Sequence, residues 1–290
     1  MAKYRMVRDR LAASGRFTFE CAPVAEAATV ALIHDEDYVQ RFIAGELAPA
    51  AIRRIGFPWS EGLVLRTLAS VGGTLRACDD ALATGWGGNL AGGTHHASCA
   101  EGAGFCVFND MAVAIASLRA AGRIRRAAII DCDVHQGDGT ALIFEHDPDV
   151  FTLSIHGAKN FPFRKQRSRF DIELPDGTHD RDYLAILARA LPPVFDFRPD
   201  IVFFQSGVDT LATDALGRLS LTLDGLAARD RIVLGAARSA GVPLVIVLGG
   251  GYSRPIEHTA AAHAQTFLTA AALYSGAESS MALNSSFNVR

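Results

Sequence analysis

Four short stretches carry residues whose types and spacing suit metal or hydrolytic chemistry. In DCDVHQGDGT (131–140), Asp131, Asp133 and His135 stand at i, i+2 and i+4 directly after an apolar run. Along an extended chain that period of two turns all three to one side. Two carboxylates and an imidazole offer the mixed oxygen and nitrogen ligands that hold Zn2+ or another divalent first-row metal. Alone the pattern is loose, because Asp-rich segments with glycines also form ordinary turns. In GGTHHASCAEGAGFCVFND (92–110), His95 and His96 are adjacent in an apolar, glycine-rich setting, where two imidazoles are costly to bury without partners. SGVDTLATD (206–214) puts Asp209 just past the apolar IVFFQ, and LGGGYS (248–253) brings Tyr252 after three glycines that let the backbone pass close to a neighbour. Singly, Asp209 reads equally as a helix cap, the histidines as core or surface residues, and Gly249 to Gly251 as a turn. Four such features, each at the end of an apolar run, point together to an enzyme.

The elements that must position them follow from the surrounding pattern. AAIIDCDV (127–134), VFTLSIHG (150–157), DIVFFQSGVD (200–209) and PLVIVLGGG (243–251) are continuous apolar runs, as expected of strands covered on both faces. Between them, Asn109 or Asp110 caps a helix over MAVAIASLRAAG, and a second helix runs from Asp182 through YLAILARAL until Pro192 stops it. Strand then helix, repeated, predicts an α/β fold with a central, mostly parallel sheet and helices on both faces, in which ligands gather at the carboxyl ends of the strands.

A chain of 290 residues fits one large domain, here over 1–275, while the polar GAESSMALNSSFNVR (276–290) reads as a frayed tail. With 49% apolar and 20% charged residues the chain is not intrinsically disordered. Its net charge of −3 implies no basic face from the total and argues against nucleic acid as a direct partner. Five scattered cysteines, with no C-x-x-C pair, argue against a disulfide framework and a thiolate zinc site, and suit a reducing cytoplasm. Cys106 and Cys132 read as small core residues. The charged N-terminal segment and the lack of a long apolar run predict neither a signal peptide nor a membrane span.

In order and separation, GGTHHA, GFCVFND, DCDVHQGDGT, SGVDTLATD and LGGGYS resemble the motifs of the zinc-dependent histone deacetylases of the arginase/deacetylase superfamily. The glutamine after His135 and FTLSIHGAKNFPFRK (151–165) look like the class IV branch and its bacterial relatives. The resemblance implies a single-domain arginase/deacetylase-like fold. The implied activity is hydrolysis of the amide of an acylated amine such as acyl-lysine by zinc-activated water. It also implies Asp133, His135 and Asp209 as ligands of Zn2+, with Fe2+ as an alternative. His95 and His96 become a catalytic pair held by Asp131 and Asp138, and Tyr252 a donor to the oxyanion. Gly104, Phe105, Phe161 and Gly250 would line a narrow apolar tunnel, and a K+ site would draw on Asp131, Asp133, His135, Ser154 and Ile155. Acetylpolyamines or small acylated metabolites stay open as substrates. So do two other activities: an arginase-like ureohydrolase with two metals, and an inactive module that binds acyl chains. Adjacent His95 and His96 together with Tyr252 favour one metal and an amide over the ureohydrolase.

Overall fold

In the computed structural model, which describes residues 2–274 and 281–285, eight strands form one sheet. They are β1 (Phe17–Cys21), β2 (Trp86–Asn89), β3 (Ala127–Asp131), β4 (Val150–Gly157), β5 (Phe170–Leu174), β6 (Ile201–Gln205), β7 (Leu244–Val247) and β8 (Met281–Ser285). The order across the sheet is β1-β8-β2-β7-β6-β3-β4-β5, and every neighbouring pair is parallel. The expected parallel sheet is therefore parallel throughout.

Residues of the central strands are buried along their whole length, so both faces must be covered. Alternate side chains divide between two cores, as the pleat requires. Ile130, Phe204 and Ile246 face one core, closed by the helices Ala2–Ala13, Asp180–Asp196, Leu223–Ala240 and Ile256–Tyr274. Ile129, Phe203 and Val245 face the other, closed by Glu61–Thr84 and Asp110–Ala120. Cys106 and Cys132 are buried, as expected of core residues. Among the described residues no helix is long and apolar enough to cross a membrane.

Several boundaries differ from the sequence reading. β4 has the expected bounds, but β3 stops at Asp131, β6 at Gln205 and β7 at Val247. Past β3 the backbone N–H groups of Asp133 and His135 are taken by the carboxylates of Asp131 and Asp133, at 3.1 and 3.0 Å, instead of by a neighbouring strand. Such local side-chain bonds compete with the ladder, so Asp133 and His135 leave the strand on a loop and the period of two ends at Asp131. Asn109, not Asp110, is the helix cap: its side chain accepts from Ala112 N at 3.1 Å. The helix Asp180–Asp196 starts before Asp182 and continues through Pro192 and Pro193. Burial of Leu191 and Val194 carries its last turns despite the missing N–H groups. Residues 281–285 of the expected tail form β8, inserted between β1 and β2. The rest of that tail, 276–280 and 286–290, lies outside the described residues.

Helix Leu223–Ala240 brings Arg229, wholly buried, against Asp230, with Nε to Oδ1 at 2.9 Å. The same guanidinium donates to the carbonyls of Ser206 and Gly207, just past β6, and to Cys132, just past β3. Thr266 donates its hydroxyl to Asp230 at 2.6 Å. One buried cation thus ties together the two loops that leave the centre of the sheet. Arg229→Met leaves Asp230 buried and uncompensated, for which the expected loss is about 3–5 kcal/mol of stability. Chemical and thermal unfolding measure it, and a midpoint equal to the parent's would refute the role.

Candidate active site

The histidine pair stands on a loop clamped to a helix N-terminus. After β2 the chain passes Gly92 and Gly93, both at positive φ, and the Asp110 carboxylate accepts from Gly93 N, Thr94 N and the Thr94 hydroxyl at 3.1, 2.8 and 2.5 Å. Asp110 sits in the first turn of its helix, where the exposed N–H dipoles favour a carboxylate. Asn109 Nδ2 holds Ala97 O at 3.2 Å from the other side of the pair. So fixed, His95 Nδ1 lies 2.7 Å from Asp131 Oδ2 and His96 Nδ1 lies 2.6 Å from Asp138 Oδ1. An aspartate facing Nδ1 places the proton there, which leaves Nε2 of a neutral ring as the acceptor. The two rings are 4.1 Å apart at their centroids.

Beside them, Asp133, His135 and Asp209 bring one ligand atom each within 4.8 Å of one another. His135 Nδ1 lies 2.9 Å from Asp133 Oδ1 and 3.2 Å from Asp209 Oδ2. Backbone groups hold the remaining oxygens: Val134 N donates to Asp209 Oδ1 and Gly250 N to Asp133 Oδ2, both at 2.8 Å. Gln205 Nε2 reaches Asp133 Oδ2 at 3.2 Å and Gly93 O at 3.1 Å, so it links the acidic cluster to the histidine loop. Burial would push His135 down, but the Asp133 and Asp209 carboxylates outweigh it and hold the ring up at about 11. Burial, and then the Asp133 charge, push Asp209 up to about 7. Two buried carboxylates facing one imidazole nitrogen thus need more positive charge than one ring supplies. Oxygen and imidazole donors of this kind fit a divalent cation.

His95, His96, Asp133, His135 and Asp209 line a cavity of about 800 Å3 together with Gly104, Phe105, Phe161, Gly250 and Tyr252. Phe161 meets His96 edge-on, 4.9 Å between centroids, and Phe105 lies 6.3 Å from Tyr252. Phe105 has φ 67, a left-handed backbone, and its N–H is fastened to Ile55 O at 2.8 Å. Gly104 allows the His96 ring to pack 2.6 Å from where a Cβ would sit. Gln136 anchors the segment that follows Phe161 and Phe163, donating to Gln166 O and Asp171 Oδ1 and accepting from Gln166 N, each at 2.8 Å. Tyr252 is mostly covered, with 37% of its surface exposed, and Lys3 lies over its ring at 4.7 Å while donating to Gly249 O and Gly251 O at 3.1 and 3.4 Å.

Of the site residues expected from the sequence, Asp131, Asp138, Ser154 and Ile155 do not line this cavity: Asp131 and Asp138 stand behind it on His95 and His96. Ser154 lies in register with Asp131 on β4 and shares a hydrogen bond with His156, and Ile155 is buried in the core. Asp110 entered the sequence reading only as a helix cap, not as the clamp on the histidine loop, and Gln205, Arg229 and Lys3 escaped it. Gln205 alone left a signal there, as the polar residue that ends the apolar IVFF.

A wholly parallel α/β sheet flanked by helices on both faces is consistent with the deacetylase fold. The chain belongs to the histone deacetylase domain family, which it matches over residues 1–268. It is 46% identical over 261 residues to an uncharacterized protein of Picosynechococcus sp., covering 89% of this chain and 87% of that one. To the histone deacetylase-like amidohydrolase of Pseudomonas aeruginosa it is 33% identical, covering 86% of this chain and 70% of the other. Histone deacetylase 2 of Arabidopsis thaliana is 33% identical, with 77% and 60% covered. The family is generally metal-dependent, and its homologues imply a hydrolase.

A Cβ at position 250 would run into the Asp209 and Asp133 carboxylates. Gly250→Ala is expected to weaken divalent metal binding by about 10–100-fold, as when a group orienting the ligands is disturbed. Competition titration against a chelator measures this, and parent-like affinity in a folded variant would count against a metal between those carboxylates.

Proposed function

We propose that the protein is a metal-dependent amidohydrolase that removes the acyl group from an acylated amine such as acyl-lysine. Asp133, His135 and Asp209 would hold Zn2+, with Fe2+ as a substitute. A K+ beside Asp131 and Ser154 belongs to the same reading. One observation carries it: two adjacent imidazoles, each with Nδ1 on its own aspartate, stand beside the acidic cluster. Burial and the neighbouring His95 charge push His96 down to about 4. Burial acts on His95 too, but Asp131 and Asp133 outweigh it and hold His95 up at about 9. The carboxylates around His95 thus favour its protonated form, whereas burial and His95 disfavour that of His96.

A divalent cation bound there would polarise the amide carbonyl and make water more acidic. His96 Nε2 would take the proton of the attacking water and later deliver it to the departing amine nitrogen, while Asp138 holds Nδ1–H and the ring's orientation. His95, kept charged on Asp131, would offset negative charge developing alongside. The Tyr252 hydroxyl would donate to the carbonyl oxygen as it becomes an oxyanion, and burial, which raises its pKa, keeps that donor protonated. Burial likewise pushes the Cys106 thiol up, so no thiolate nucleophile is called for. Among the described residues one group of three or more potential ligands comes together, which favours a single-metal amidohydrolase over a two-metal ureohydrolase. Acyl-lysine, acetylpolyamines and small acylated metabolites all present an amide on a slim aliphatic stem that the Phe105 and Phe161 walls suit.

The test is a kinetic screen of zinc-loaded protein across those amides with acyl length varied. Turnover that is lost on chelation and restored by Zn2+ or Fe2+ supports the reading, and acyl-chain binding with no turnover would make the protein a binding module instead. Within that screen, His96→Ala should lower kcat by about 10²–10⁴ without releasing metal. Tyr252→Phe should slow hydrolysis by about 10²–10³, mainly in kcat, while leaving hydroxamate binding nearly intact. Parent-like kcat in either folded, metal-loaded variant would remove that residue from the mechanism.

A further inference from the structure

The cavity is acidic at its floor and basic at its mouth. Its acidic lining residues are Asp133 and Asp209, both in the candidate metal cluster, whereas Lys3, Arg53, Arg54, Arg66, Lys159 and Arg218 all line it. The chain as a whole holds 31 acidic against 28 basic side chains, so this excess of cations is a local segregation of charge.

The pairing of these cations leaves positive charge over. Arg54 is matched by Glu101 at 2.8 Å. Arg218 and Lys159 share a single carboxylate, Asp176, at 3.2 and 3.7 Å. Arg53 is exposed, and among the described residues no carboxylate lies within ion-pair distance of it. Lys3 is spent on the carbonyls of the glycine turn, which neutralise none of its charge. The unmatched charge stands on both walls: Arg53 precedes Phe57 on one, and Lys159 and Arg218 flank Phe161 and Leu216 on the other. An arriving substrate therefore meets a ring of cations around an aromatic slot.

Such a mouth disfavours the flanking lysines and arginines of a basic polypeptide and the free ammonium groups of an acylated polyamine, since the carboxylates there, Glu101 and Asp176, are already engaged by Arg54, Arg218 and Lys159. It attracts anions, and steering of this kind changes association rates by about 10–10³. We infer that the substrates are acyl-amines carrying carboxylate or other anionic groups within a few bonds of the scissile amide. Two sources share that chemistry: an acylated amino acid with its free carboxylate, and an acylated lysine in an acidic peptide. The inference rests on the amidohydrolase reading for the reaction itself and adds the charge of what is cleaved.

The experiment uses the zinc-loaded full chain and one scissile group, Nε-acetyl-lysine, in amidated peptides flanked by Glu, Gln or Lys. Nα-acetyl-Nε-acetyl-lysine as the free acid and as its methylamide forms the small-molecule arm. At low salt kcat/KM should fall in the order Glu, Gln, Lys, with at least about 10-fold between the ends. The ratio should shrink toward one between about 0.01 M and 1 M salt, where the screening length drops from about 30 to 3 Å. Preference for the free acid over the methylamide assigns the small-molecule source, and preference confined to the Glu peptide assigns the acidic polypeptide. Arg53→Glu combined with Arg218→Glu should reverse the order of the flanked peptides. If that variant does not fold, the salt dependence of the parent decides.

Calorimetric binding of the same peptides, with the scissile amide replaced by a methyl ketone, separates this inference from the reading it rests on. Charge-ordered binding without turnover of the amides keeps the inference and overturns the hydrolase. Turnover with no charge order, or with the Lys peptide preferred, overturns the inference and leaves the hydrolase standing. Neither binding nor turnover overturns both.

Discussion

Asp133 and Asp209 lie side by side in the interior with one imidazole nitrogen between them. Removing such charges from water costs several kcal/mol per ion unless they are matched and hydrogen-bonded. Much of the chain near the carboxyl edge of the sheet answers to that cost. Val134 N and Gly250 N each give a hydrogen bond, Gln205 gives another, and Gly207 and Gly250 have no side chain where the carboxylates need the space. Arg229 then fixes the loops from beneath. A parallel sheet suits this task because its strands deliver several loops to one edge, each free to turn its backbone amides toward the same point.

The two histidines show how little sequence separation has to do with chemical separation. They are neighbours in the chain, and each has an aspartate on Nδ1 at nearly the same distance. Yet His95 lies close to the charges of both Asp131 and Asp133, whereas His96 feels chiefly burial and the repulsion of His95. Position relative to the buried carboxylates moves the proton affinities of the two rings in opposite directions.

Much of this was legible in the chain, for physical reasons that also mark where legibility ended. Continuous apolar runs identify strands that are covered twice, and β4 came out residue for residue. Where the other strands stop depends on side chains bonding to nearby backbone, as Asp131 and Asp133 do, and no periodicity records that. The pairing of His95 with Asp131 spans 36 positions and came from the resemblance of the motifs, not from their spacing. Arg229 reads in sequence as one more charge on a polar helix, since nothing local announces that this turn faces the core. β8 was missed because its partners, β1 and β2, lie far away in the chain, and five residues with a polar end carry too little pattern to be recognised without them.

Phe105 holds its ring at the mouth from a left-handed backbone, a conformation that costs a residue other than glycine or asparagine about 1 kcal/mol or more. The substitutions that relieve this strain, to Gly or Asn, are also those that remove the aromatic wall. Relief of backbone strain and a wider aperture therefore lie in the same direction. The ring held at that cost packs against Phe57 and lies beside Tyr252, and a population of variants selected for relief of backbone strain alone would drift toward a wider mouth.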